Sequence, residues 1–214
     1  MSAGPDLSAL VSARLCHDLI SPMGAIGNGL ELMQLSQPAV TAELDLVAGS
    51  LGSALAKLRF FRIAFGPSEA QGRLSTEEIR AVTDAMFSGR FSVDWDADAP
   101  DLSRGAVKIA FLALLCVEKS LPMGGAACVA ARGEAIAVTA EGRRTAPPAA
   151  LWDLVAEGGE TDGLRPDGVQ FALLRRALDE AGGDVEIAFS DTAASVRMTA
   201  PEPGLEPAPA ETPA

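Results

Sequence analysis

Two long amphipathic stretches, one directly after the other, constrain this chain most. From Leu7 to about Ser36, Leu15, Leu19, Ile26, Leu30 and Met33 recur at spacings of three, four and seven, and Ile20 and Met23 widen the stripe. That period predicts a helix, with Asp6 or Ser8 as its cap and Ser36-Gln37-Pro38 as its stop. Val40, Leu44, Val47, Leu51, Leu55, Leu58 and Phe61 keep the same period up to Phe65, where Gly66-Pro67 ends it. Two helices of about 25 to 30 residues joined by a short turn predict an antiparallel hairpin ~40 Å long. A hairpin alone leaves half of its apolar stripe facing water. Two copies pairing into a four-helix bundle cover it and make a homodimer; the alternative is that the second half of the chain does so.

After Gly72 the pattern turns to mixed α/β. Ser75-Thr-Glu-Glu reads as a capped helix start running to Ser88, Phe91–Trp95 alternates as a half-buried strand, and Ser103 opens an apolar helix reaching Lys119. Leu121-Pro-Met-Gly-Gly is a loop, and Ala127–Ala131 and Ala135–Thr139 form a hairpin about Arg132-Gly-Glu. Helices are expected near Ala149–Glu157 and Gly168–Ala181, and final strands at Asp184–Phe189 and Ala194–Thr199. The expected organisation is a helical hairpin over 1–66, an α/β unit over 72–200 and a Pro-, Ala- and Glu-rich disordered tail over 201–214. The fold class is α+β.

Composition then removes whole classes of function. With 48% hydrophobic residues the chain can bury a core, while Lys+Arg 17 against Asp+Glu 29, a formal charge of −12, gives no basic field for nucleic acid or an anionic membrane. Cys16, Cys116 and Cys128 are odd in number and scattered, which predicts a reducing cytoplasm rather than a disulfide framework. The opening MSAGPDLSAL does not read as a signal peptide. The apolar run Ile109–Val117 is far short of the ~20 residues that span a bilayer.

Histidine chemistry has one address, His17. At about 100° per residue, His17 turns away from the Leu15, Leu19 and Ile26 stripe, onto a face that reads Arg14, His17, Ser21, Gly24 and Asn28. An exposed imidazole beside Asp18, with small residues one and two turns on, leaves room for another molecule. Incidental surface histidines are common, but Pro22 bends the helix just beyond this one, at a cost of ~3 kcal/mol unless compensated. Neither a metal site nor a Cys16–His17 nucleophilic pair fits, because ligands at helical spacing are missing and neighbours i and i+1 diverge.

His17-Asp18-Leu19-Ile20-Ser21-Pro22 resembles the phospho-accepting box of sensor histidine kinases, and the longer run HDLISPMGAIGNGLEL resembles the ChpT family of histidine phosphotransferases. The resemblance covers the chain apart from its tail. It implies a dimeric four-helix bundle carrying a degenerate kinase ATP-binding domain of the Bergerat type. It also implies a relay in which His17 takes a phosphoryl group from the receiver domain of a hybrid histidine kinase. Regulators of the CtrA and CpdR kind then receive it. On this reading His17 is phosphorylated, Asp18 and Ser21 assist, and Arg14, Pro22, Gly24 and Asn28 meet the partner. No cofactor is intrinsic; magnesium comes with the receiver.

The same resemblance implies that nucleotide chemistry is lost. The Asn positions that hold magnesium and phosphate in active kinases fall at Leu112 and Cys116, and the adenine-reading Asp falls at Ala140, although the Pro-x-Gly-Gly ending survives as Pro122–Gly125. Two other classes stay open: a divergent active histidine kinase, and a non-catalytic dimeric adaptor.

Overall fold

The computed structural model describes residues 14, 15, 18, 19, 22, 25, 26, 29 and 32, the run 41–66 and the run 72–199. Those before residue 33 are all helical. The expected turn at 36–38 and the tail 201–214 lie outside the described residues. Helix α1 spans Thr41–Ala64 and ends where Gly66 follows, as its sequence predicts.

A mixed α/β layer follows. Strand β1 (Arg73–Ser75) and strand β3 (Asp101–Ser103) form a small antiparallel pair, Leu74 opposite Leu102. Three residues carry no readable period, so neither strand is predicted, yet the pair does a definite job. Its two terminal serines cap the two helices that leave it. Ser75 Oγ accepts from Glu78 N at 3.1 Å at the head of α2 (Thr76–Met86). Ser103 Oγ accepts from Ala106 N at 3.2 Å at the head of α3 (Arg104–Lys119). Each cap fills an orphan donor of the first turn.

The main sheet contains β2 (Phe91–Ala97), β4 (Gly125–Arg132), β5 (Ala135–Gly142), β6 (Val185–Phe189) and β7 (Ala193–Thr199), in the order β2-β4-β5-β7-β6. Only β2 and β4 run parallel; the other pairs are antiparallel. Alternation puts Phe91, Val93, Trp95, Val129, Val138, Val196 and their neighbours on one covered face and leaves Asp94, Ala126, Thr139 and Glu141 on the other. Helix α4 (Ala149–Glu157) and helix α5 (Val169–Ala181) complete the covering layer with α3. From Val107 to Val117 every residue of α3 is buried.

The apolar stripe of α1 splits in two. Its C-terminal part enters the core of the α/β layer: Phe60 stacks on Phe111 at 4.3 Å and meets Phe87 edge-on at 5.4 Å, and Phe61, Ile63 and Ala64 are buried beside them. Lys108 Nζ donates to the carbonyl of Gly66 at 2.6 Å, and burial lowers its pKa. Further up, Leu46, Leu51, Leu55 and Leu58 are 44–49% exposed in the single chain. Among the described residues no helix is long and apolar enough to cross a membrane.

Candidate functional site

Four of the predicted site residues, His17, Ser21, Gly24 and Asn28, lie outside the described residues. Arg14, Asp18 and Pro22 do not, and they define the ground around the motif. Arg14 Nε stands 2.9 Å from Asp18 Oδ2, an i,i+4 pair whose side chains are only 18% and 13% exposed. The Asp18 carboxylate, expected beside the imidazole, is therefore held by a guanidinium. Lys57 of α1 donates its Nζ to the backbone carbonyl of Asp18 at 3.3 Å. Pro22, expected on the docking surface, is buried and lines a cleft with Ser50, Ser53 and Lys57 of α1.

Arg14 also faces the α/β layer. It lines a cleft of about 350 Å³ with Arg90, Glu118, Lys119, Pro122, Gly124 and Gln170, and Leu15 packs on the common core beside it. The surviving Pro-x-Gly-Gly turn shapes this cleft. Gly124 has φ +80, and a Cβ there would stand 2.0 Å from the carbonyl of Arg90, to which Gly125 N donates at 2.9 Å. The glycines thus let the chain pass close beneath Arg90. Burial pushes the Glu118 carboxyl above its usual range, opposed chiefly by Arg14. Lys119 donates to Asp167 at 2.6 Å, and that hydrogen bond holds the Asp167 carboxyl below the usual range.

Glu118, Arg90 and Lys57 are absent from the sequence-based site. Glu118 left one trace there: it is the single acid of α3.

Where the kinase resemblance puts nucleotide-binding residues, the side chains are apolar and buried. Leu112 and Cys116 have no exposed surface and Ala140 has 3%. Ser120 Oγ donates to the Cys116 carbonyl and accepts from Trp152 Nε1, both at 2.9 Å. The indole meets Phe171 and Phe189 edge-on at 5.1 and 5.3 Å. Burial raises the Cys116 thiol well above its ordinary pKa, so it stays a neutral apolar group. Among the described residues no group of three or more His, Cys, Asp or Glu side chains comes together to hold a metal.

Comparison with known proteins carries the description further. The family model of the histidine phosphotransferase C-terminal domain matches residues 76–193. The protein phosphotransferase ChpT of Brucella abortus (strain 2308) is 30% identical over 188 residues, spanning 85% of this chain and 90% of that protein. A bacterial phosphotransferase solved at 1.7 Å superposes with a TM-score of 0.77 at 28% identity, covering 92% of this chain and 98% of that one. These likenesses define a phosphotransferase of the phosphorelay class. More narrowly, the chain belongs to the histidine phosphotransferase family of ChpT.

Proposed function

We propose that the protein shuttles a phosphoryl group between receiver domains of a two-component phosphorelay through His17, without ATP. The observation that carries this reading is that the chain's one histidine falls between Arg14 and Asp18, whose ion pair borders the cleft of the α/β layer. A neutral imidazole nitrogen attacks the phosphorus of a donor phospho-aspartate; the N–P bond forms as the P–O bond to the acyl oxygen breaks, and the aspartate carboxylate leaves. A second receiver's aspartate reverses the step. An imidazole with an ordinary pKa near ~6.5 is largely unprotonated at cytoplasmic pH and so competent as the nucleophile.

Magnesium arrives in the acidic pocket of the receiver, which supplies charge neutralisation for the transfer. Asp18, polarised by Arg14, favours positive charge developing on the ring, and Ser21 contacts the phosphoryl group or the partner. Gly24 and Asn28 form the docking face, with Arg14 bordering it from the cleft and Pro22 setting the course of the helix from inside. The donor is the receiver domain of a hybrid kinase and the acceptors are regulators of the CtrA and CpdR kind. Apolar filling at Leu112, Cys116 and Ala140 supports independence from ATP.

The active form is a cytoplasmic homodimer. Residues 1–66 provide a hairpin that pairs into a four-helix bundle, and 72–200 a degenerate ATP-binding domain. The exposed leucines of α1 support the pairing, since an uncovered apolar stripe at helical spacing is what a bundle partner buries.

Mixing the protein with a phosphorylated receiver domain and following the label tests the proposal. Wild type is expected to take the label and pass it to a second receiver, while His17→Ala takes none. Transfer undiminished in His17→Ala refutes the relay, and label taken directly from ATP would establish a kinase instead.

A further inference from the structure

Charges from four parts of the chain converge on the helical turn bounded by residues 14 and 18. Arg14 and Asp18 form their ion pair at 2.9 Å, and Lys57 of α1 holds the Asp18 carbonyl at 3.3 Å. From the α/β side, Glu118 in the last turn of α3 and Arg90 just before β2 line the same cleft as Arg14. Of the charges acting on Glu118, Arg14 favours its ionised form most, Lys57 and Arg90 less, and Asp18 opposes it. The Arg14 guanidinium thus stands in the field of two carboxylates, one on its own helix and one on α3. Its rigid fork of donors suits a group that must serve both sides. Glu118 is half-buried, and a carboxylate there, in the field of a second one, costs the fold stability. An amide of the same shape would avoid that cost.

We propose that Glu118 is a positioning residue of phosphotransfer: by drawing Arg14 toward α3 it sets the stance of the turn that contains His17 relative to the α/β layer. The inference rests on His17 being the phosphoryl acceptor. It gives the α/β layer a part in the reaction that needs no nucleotide. Glu118 touches neither phosphoryl group nor partner and acts through Arg14.

Single-turnover transfer from a phosphorylated receiver domain tests it on the full-length protein. Glu118→Gln is expected to slow transfer at saturating donor about tenfold, as a small misplacement of a reacting group does. The donor concentration giving half the maximal rate should move by less than about twofold. Glu118→Asp should recover part of the rate. In an Arg14→Gln background, which already lacks the Arg14–Glu118 interaction, Glu118→Gln should slow transfer little further. A wild-type rate in Glu118→Gln, multiplying effects in the double variant, or a loss confined to the half-saturating concentration would each overturn the proposal. Arg14→Lys, which keeps a charge on the same turn but lacks the fork that can serve Asp18 and Glu118 together, should also slow transfer; a wild-type rate there overturns the proposal even if Glu118→Gln does not fold. Wild type that takes no label, or His17→Ala that takes as much, brings down the phosphotransfer reading and this one with it. Normal labelling of His17 with an unaffected Glu118→Gln brings down this one alone.

Discussion

Glu118 makes a stability claim with a sign that can be worked out. Burial raises its folded pKa above the ordinary value of 4.5, so between those two values the folded chain binds more protons than the unfolded one. Stability therefore falls as pH rises through that window, and at neutral pH the ionised carboxylate is a net burden. Glu118→Gln should accordingly melt at a higher temperature than wild type at pH 7, and the gap should close by pH ~4.5, at the ordinary carboxylate value. Thermal unfolding at a series of pH values reads both. A lower melting temperature for Glu118→Gln at pH 7 would mean that Arg14 more than offsets the burial. If Glu118 weakens the fold in this way, it fits the pattern of stability given up at a working site. Its neighbours explain why the sequence revealed only part of the site. His17 and Asp18 stand in a recognisable motif, whereas Lys57 reaches Asp18, and Arg90 and Glu118 share the cleft of Arg14, only through the tertiary fold.

At the scale of elements, α2 and α3 and most of the sheet were legible because each carries a strong local signal: a serine cap, an alternating strand or a turn at Gly133. Strands β1 and β3 were not, since three residues have no period, and their pairing depends on chain segments 28 positions apart. The parallel pairing of β2 with β4 is equally non-local. Helix α1 shows the deeper limit. Periodicity announces that Leu51, Leu55, Leu58 and Phe61 share a stripe, but not what covers each part. The α/β layer takes Phe61, and the leucines above it are left 44–49% exposed. If a second copy covers them, Leu51→Glu combined with Leu55→Glu should halve the mass measured by sedimentation, because two carboxylates on each face would be desolvated against each other. Secondary structure by circular dichroism should change little, both positions being on the exposed surface of one chain. An unchanged dimer mass would show that another face holds the copies together.

At the scale of the molecule, the composition change near residues 66–72 reads as a boundary between two domains, but the packing crosses it. Phe60 from α1 stacks face to face on Phe111 of α3 and reaches Phe87 after α2, so one continuous core contains side chains from both sides of the break. Lys108 adds a polar tie by capping the carbonyl of Gly66 from within α3. Units joined only by a linker unfold independently, whereas units that share a core unfold together. Calorimetry should therefore show α1 and the α/β layer melting in one transition. Phe60→Ala removes a fully buried ring at the junction and should cost about 3–5 kcal/mol. For a chain of this length that lowers the single transition by roughly 10 °C. Two separate transitions in wild type, or a Phe60→Ala variant in which only part of the heat absorption shifts, would show the junction to be a contact between independent domains. The cooperative outcome bears on function as well. If His17 is the phosphoryl acceptor, a helix tied through Lys57 and Arg14 to such a core would present the same geometry to successive receiver domains.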